Sequence, residues 1–530
     1  MKKINLILIF YLFTVLNIKA NYKIVGYFAN WAQYRSHFNC KPQDLDPTKL
    51  TAINYAFGYF NYNKLLSTVT NDWAIYPIET NDINELYPQL ENLKSSNSDL
   101  ETFLSIGGAT FCANVTTKTF FHDLCANTNY QDLFINSAII YCATHGFNGI
   151  DLDWEFPAKT DHGGDNTDYQ NFYDFLKNFR TTLNNQNSNL KITMAAPPSV
   201  PYLSTNGSYS INGNVFNVDT SNPSTYFLWL YHCSEYLDWI NIMTYDYYGA
   251  GWQDYTADNA PLYSHPDSHY NSISKTVDYY INSGISKDKL ILGMPAYART
   301  YKTVAFDSTW DLPNHPYGPG SGPNPSVQGD AGYLTLSPGY LSYIEVHKAL
   351  KYDGSFDDMK YNSNTGTSYA WNAIAATWIT FDSPNNVDYL NGELSSLELK
   401  VKFIMENQLG GAMIWSLDQD LYKQFSGLTD PINPFLNTIY NTFNSEYLSI
   451  QTFLIYDWLT QDLTYKISWN IVSAAVKYKL YRKANHYNLI LETQNTYYFD
   501  HNRNPSEINK YYLTYIDSNE EEHDLGSITL

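Results

Sequence analysis

Residues 147–157 read FNGIDLDWEFP, and this stretch decides the fold. Taken as a β-strand it has two faces. Ile150, Leu152, Trp154 and Phe156 point one way; Gly149, Asp151, Asp153 and Glu155 point the other. Three carboxylates on one face of an apolar strand are costly. Burial and mutual repulsion both oppose ionisation, so at least one holds a proton at neutral pH. A chain tolerates this where it needs a carboxylic acid as a proton donor, whereas Val or Thr would serve structure alone. The competing readings are an acidic strand end and a cation site. A calcium loop also spaces acids by two, but it takes its oxygens from a glycine-bearing turn, without Leu and Trp between them.

Working outward, seven more runs share the apolar strand character of GIDLDWE (149–155). They are KIVGYFAN (23–30), AINYAFGYF (52–60), TFLSIGG (102–108), KITMAAPP (191–198), WINIMTYD (239–246), LILGMPAY (290–297) and GAMIWSL (411–417). Helical patterns fill most of the gaps, at 82–96, 130–146, 169–185 and 272–284, the second ending at a Gly stop. Apolar strands alternating with helices predict a parallel sheet covered on both faces. Eight such units predict an α/β fold of the closed (β/α)8 TIM barrel type. The alternative is an open doubly wound sheet, which the lack of a Gly-rich phosphate loop after the first strand disfavours. The gap after strand seven is too long for one helix, and 298–372 is expected to be a small α+β insertion on the active-site side. Beyond about residue 445, short alternating strands predict a β-sandwich over 446–530, with a fibronectin type III-like Trp and Tyr spacing.

The 530 residues exceed one ordinary domain. A net charge of −21, from 32 basic and 53 acidic residues, argues against nucleic acid or an anionic membrane as partner and suits a neutral sugar polymer. Residues 1–20 have two lysines, an apolar run and a small residue at Ala20, the form of a cleaved secretory leader; an uncleaved anchor is disfavoured by the shortness of the run. Nothing after it is apolar enough to span a bilayer, so no membrane association is expected once it is removed. Sequons at Asn114 and Asn206 fit passage through a secretory pathway. The protein is therefore expected outside the cell, with an endosomal or lysosomal destination as the alternative, and as a monomer. The five cysteines are an odd count, and Cys112 with Cys125 is the first expectation for a disulfide. No CxxC or HExxH pattern points to a metal, and no cofactor is expected.

In a barrel of this kind the active site lies at the C-terminal ends of the strands. Glu155 is then outermost on strand four, with Asp153 about 6.6–7 Å behind it. Ordinary retaining glycosidases flank the sugar with carboxylates on opposite faces, whereas these two share one side of one strand. The nucleophile must come from elsewhere, and the substrate's own 2-acetamido oxygen is the candidate. Strand six offers Met243, Tyr245 and Asp246, where a tyrosine hydroxyl could steady that oxygen. Trp415 could floor a sugar ring. Tyr27, Phe57 and Arg299 stand at the ends of strands one, two and seven.

Together these residues resemble the family 18 glycoside hydrolases, in particular the chitinase group with an inserted α+β domain, over about residues 22–440. The family pattern D-G-x-D-x-D-x-E appears as NGIDLDWE. The motifs GYFANW, INYAFG, LSIGG, MTYDYYG, GMPAYART, SYIEV and LGGAMIWSLDQD match as well. The resemblance implies that Glu155 is general acid and then base. Asp153 would orient the acetamido group, Asp151 would be the charge partner beneath it, Tyr245 would bond the acetamido carbonyl, and Asp246 would contact substrate near the cleaved bond. It implies a secreted chitinase acting with retention on chitin or chito-oligosaccharides, without metal or cofactor. The alternatives are an endo-β-N-acetylglucosaminidase on glycans, a non-catalytic chitin-binding lectin and a structural wall protein. Three positions depart from the family. Asn148 stands for the first Asp of the pattern. Ala109 stands where a Trp commonly follows SIGG, with Phe111 as a possible replacement platform. Gly26 stands for a cysteine, which leaves Cys40 without its expected partner.

Overall fold

The computed structural model describes residues 22–529 except 36–37, 62–71, 253–256, 265–270, 303–326, 354–358, 363–364, 373–376, 385–394, 424–430, 445–450, 458–461, 469–476, 484–486, 494–496, 501–509 and 517–521. The expected leader, residues 1–20, and most of the turn-rich stretch after strand seven lie outside the described residues.

The eight apolar runs form eight parallel strands: β1 Lys23–Ala29, β2 Ala52–Phe60, β3 Glu101–Gly107, β4 Gly149–Asp153, β5 Lys191–Ala196, β6 Trp239–Ile242, β7 Leu290–Pro295 and β8 Gly411–Trp415. Each pairs with the next in register, from Ala52↔Glu101 to Ile291↔Gly411, and β1 pairs with both β2 and β8, so the sheet closes. The fold is a (β/α)8 barrel. Its strands carry buried residues at nearly every position because side chains fill the lumen on one face and meet helices on the other. Closure is tight at β4, where a Cβ on Gly149 would lie 2.4 Å from the Lys191 carbonyl of β5. Asn148 makes the entry to β4 by accepting the Thr102 N–H at 2.9 Å, a bond an amide oxygen makes as well as a carboxylate.

The helices follow the sequence closely. Thr128–His145 starts at Asn127, whose side chain accepts from Asn129 N and Tyr130 N, and ends at Gly146 in the left-handed conformation, φ +77°. Asp168–Asn185 and Ile273–Asn282 cover the next two expected helices. The expected helix at 82–96 opens with a wide π-type turn, Asp82–Leu86, before Tyr87–Leu93. Several strands are shorter than their apolar runs. β4 ends at Asp153 because its ladder with β3 stops at Gly107↔Asp153, and Gly108 N then donates to the Asp153 carbonyl at 2.8 Å. Trp154 and Glu155 therefore lie beyond the strand.

Between β7 and the helix Ser396–Asn407, a five-stranded antiparallel sheet runs from Tyr297–Lys302 to Thr377–Phe381, past the expected limit at 372. Its helix Tyr343–Lys351 starts with a capping box in the SYIEV motif: Ser342 Oγ accepts from Glu345 N, and Glu345 Oε2 from Ser342 N. At the C-terminal end, among the described residues, seven strands between Gln451 and Thr529 form one three-stranded and one four-stranded antiparallel sheet.

The expected Cys112–Cys125 disulfide is absent: all five cysteines are buried free thiols. Cys112 Sγ is engaged elsewhere, 3.3 Å from the Glu155 N–H that it accepts. Cys40 is also a free thiol, and Gly26 packs against the Leu417 side chain, which a Cβ there would meet at 2.5 Å.

Candidate active site

At the C-terminal rim of the barrel lies a cleft of about 710 Å³. Nine of the ten residues singled out from sequence line it: Tyr27, Phe57, Asp153, Glu155, Met243, Tyr245, Asp246, Arg299 and Trp415. The tenth, Asp151, lies underneath, closed to solvent.

Asp151 accepts four side-chain hydrogen bonds. Tyr27 Oη and Ser105 Oγ donate to Oδ2 at 2.7 and 2.8 Å; Thr193 Oγ1 and Asn241 Nδ2 donate to Oδ1 at 2.6 and 3.0 Å. Its donors come from β1, β3, β5 and β6, which only barrel closure can bring to one carboxylate. Burial pushes its pKa up, and the four donors pull it back.

Asp153, one layer higher, is also buried, yet its Oδ1 has no hydrogen-bond partner. Its pKa is pushed well up, first by burial and then by the charges of Glu155 and Asp151. Glu155 opens onto the cleft. Burial of its surroundings and the charge of Asp246 raise it to about 7, while Lys159 and the Ala109 N–H act the other way. The two carboxyl groups titrate as a pair, and that pair retains a proton near neutrality.

Across the cleft, the Tyr245 hydroxyl is held protonated by burial and by Asp153 and Glu155; its contact in the structure is Met413 Sδ at 3.9 Å. Asp246 has φ +56° and is bound by Tyr297 Oη at 2.7 Å and Arg299 Nε at 2.8 Å on Oδ1, with Arg299 Nη2 at 2.7 Å on Oδ2. Such a fork holds the carboxylate in one direction. Arg299 is itself stacked on Trp252, 4.8 Å from the ring centroid.

Trp415 forms an aromatic floor with Tyr27 at 5.3 Å, Phe57 at 6.0 Å and Trp31 at 6.5 Å between centroids. Beyond it the cleft continues into a second recess of about 610 Å³, bounded by Trp31, Arg35, Tyr340 and the 334–338 loop of the insertion. The other side differs. There Ala109 and Thr110 are exposed, beside Pro197, Pro198 and Val200. Phe111 lines the cleft on this side, but it is 3% exposed and packed among Tyr59, Phe60, Phe120 and Phe121.

Sequence reading missed Trp31, Tyr297 and Tyr340 as lining residues. Trp31 and Tyr297 stand inside GYFANW and GMPAYART, so the motifs pointed at them. Tyr340 reaches the cleft only through the pairing of 340–342 with Tyr297–Lys302, and nothing local marks it. His122, Asp165 and Asp168 also lie close together, but the Asp168 oxygens already serve His122 Nδ1, Ala158 N and Asp165 N.

Comparison with known proteins agrees with this architecture. The family model for glycosyl hydrolases family 18 matches residues 23–420. Chitotriosidase-1 of Mus musculus is 31% identical over 410 residues, covering 76% of this chain and 74% of that one. Probable chitinase 10 of Drosophila melanogaster is 26% identical over 434 residues; the match takes in 80% of this chain but spans only 16% of that larger protein. Among solved structures, the Group II chitinase catalytic domain 2 of Ostrinia furnacalis superposes with a TM-score of 0.63 at 26% identity, covering 80% of this chain and 97% of that one. A mutant of that domain has been solved in complex with penta-N-acetylchitooctaose.

Proposed function

The chain belongs to glycosyl hydrolases family 18, and on that premise we propose that it is a chitinase, hydrolysing β-1,4 linkages between N-acetylglucosamine units with retention. The observation that carries this reading is the distribution of the cleft's carboxyl groups. Asp153 and Glu155 share one wall, and both oxygens of Asp246 are already engaged by Arg299 and Tyr297. Among the described lining residues, no further carboxylate is available to attack the opposite face of a sugar.

Glu155, protonated at its raised pKa, gives its proton to the glycosidic oxygen. The substrate's acetamido oxygen attacks the anomeric carbon as the bond to the leaving sugar breaks, forming a cyclic oxazolinium ion. Asp153, charged at this stage, stabilises the acetamido N–H and the positive ring, and the Tyr245 hydroxyl bonds the acetamido oxygen. Glu155, now a carboxylate, takes a proton from water, whose oxygen opens the ring from the side the leaving group vacated. Two inversions give net retention, and Glu155 ends protonated. Trp415 would carry the sugar ring at the reacting position.

The leader-like residues 1–20 and the exposed sequons at Asn114 and Asn206 support secretion. Among the described residues no helix is long and apolar enough to cross a membrane. We propose also that the seven C-terminal strands pack as a β-sandwich module.

The test is chromophore release from an aryl N,N′-diacetylchitobioside, wild type beside Glu155→Gln, with the anomer of the first product read by NMR. Release as the β-anomer, lost in the variant, is expected. A folded wild type that binds chitin without release would make the protein a lectin. Cleavage of a high-mannose glycopeptide in preference to chitin oligomers would make it an endo-β-N-acetylglucosaminidase.

A further inference from the structure

The peptide that carries Glu155 lies outside the β4 ladder, so strand pairing does not fix it. Three side chains from two other segments do. On one side, Cys112, on the short helix Ala109–Ala113, accepts the Glu155 N–H at 3.3 Å and directs its thiol to the Asp153 carbonyl at 3.7 Å. On the other, His162 Nδ1 lies 2.5 Å from the Glu155 carbonyl. That carbonyl can only accept, so Nδ1 carries the proton, and Nε2 is left as an acceptor. Lys159 Nζ supplies its donor at 2.9 Å. Lys159 is tethered in turn to Asp161 at 3.4 Å, and Asp161 also stands 3.8 Å from His162 Nε2. The loop bearing both residues is pinned at its root by Asp168, whose Oδ2 accepts from Ala158 N at 2.8 Å and Asp165 N at 3.1 Å.

We infer that Cys112 and His162 are positioning residues that clamp the Glu155 peptide from both sides, with Lys159 orienting the imidazole and adding a positive charge near the carboxyl group. The inference rests on Glu155 being the proton donor of the proposed reaction. The geometry explains why a free thiol is buried here: sulfur accepts the amide N–H that β4 leaves over, and an aliphatic side chain would orphan it. The charged groups acting on the Glu155 carboxyl are Asp153 and Asp246, which favour its protonated form, and Lys159, which favours the carboxylate.

Two readouts test it. One is kcat, KM and the pH profile on the aryl diacetylchitobioside. The other needs no activity: the Glu155 titration followed by carboxyl 13C NMR, assigned by difference against Glu155→Gln. Cys112→Ala and His162→Ala should each lower kcat about 10- to 100-fold with KM little changed, the effect of small displacements of a reacting group. Cys112→Ser, which restores an acceptor, should recover most of the loss. Lys159→Met should move the Glu155 titration and the alkaline limb of the profile up together, by roughly half a unit to one unit, because a cation near the carboxylate is removed. Wild-type kcat in both clamp variants, with no change of midpoint in Lys159→Met, would overturn the inference. Should Cys112→Ala not fold, Cys112→Ser, His162→Ala and Lys159→Met still decide it. An inactive wild type whose Glu155 midpoint nevertheless moves in Lys159→Met would overturn the proposed reaction and leave Lys159's electrostatic part standing.

Discussion

In the middle layer of the barrel, Asp151 is closed to solvent and every direction around its carboxylate is filled by a donor. One layer higher, at the rim, Asp153 is nearly as buried but its Oδ1 has no partner, and Glu155 beside it is raised to about 7. Asp151 and Asp153 belong to one strand, Glu155 lies just past its end, and all three carry the same chemical group. The difference shows that burial alone does not make a carboxyl group reactive. Burial raises the pKa of both aspartates; at Asp151 four donors work against that rise and tie the group into the structure, whereas an acid left short of donors keeps a free energy of ionisation that a substrate can draw on.

That contrast can be broken by mutation, and the largest effect belongs at the rim. Glu155→Gln keeps the shape and removes the proton, so kcat should fall by about 10²- to 10⁴-fold with the melting temperature little changed; a folded variant at near-normal rate would end the contrast. Asp153→Asn should cost about 10²- to 10³-fold in kcat, since the amide cannot stabilise the developing positive charge. Tyr245→Phe, read on the same substrate, should lose roughly 10- to 100-fold through one missing hydrogen bond.

The pH profile sharpens the comparison. The step needs a proton on Glu155, whose pKa is raised by burial first and Asp246 second. Activity should therefore be present below about 7 and fall as pH rises through that value. A limb near the ordinary glutamate range would mean that the rim does not hold its proton. In the middle layer the sign of the outcome differs. Asp151→Asn turns an NH2 group toward donors, so it should cost about 2–4 kcal/mol of stability, measured by denaturant unfolding. Its per-molecule loss of activity should be the smallest of the four.

The barrel and its order were legible in the chain because each strand is a continuous apolar run and helical patterns fill most of the gaps between them, one closed by Gly146. The rim of β4 was legible because alternation put Asp151, Asp153 and Glu155 on one face before any partner was known. Local pattern also named Trp415 at a strand end, but Asp246 lies past the end of β6 at Ile242, and Arg299, expected at the end of strand seven, stands in the antiparallel strand Tyr297–Lys302 of the insertion because β7 stops at Pro295. What it could not supply was the identity of partners far apart in sequence. The reading of Cys112 with Cys125 failed for that reason: proximity along the chain says nothing about the Glu155 N–H, 43 residues away, that the thiol in fact meets.

The sequence by itself determined the periodicity, the carboxylate row and the elements that carry them, because these depend on neighbours one to four residues apart. Only the tertiary structure decided which of the three acids is satisfied and which is not. Tyr27, Ser105, Thr193 and Asn241 converge on Asp151 from four strands, while no described donor reaches Asp153 Oδ1. The pKa of a carboxyl group is set by the few ångströms around it, and those are filled by residues that chain order keeps apart until the sheet closes.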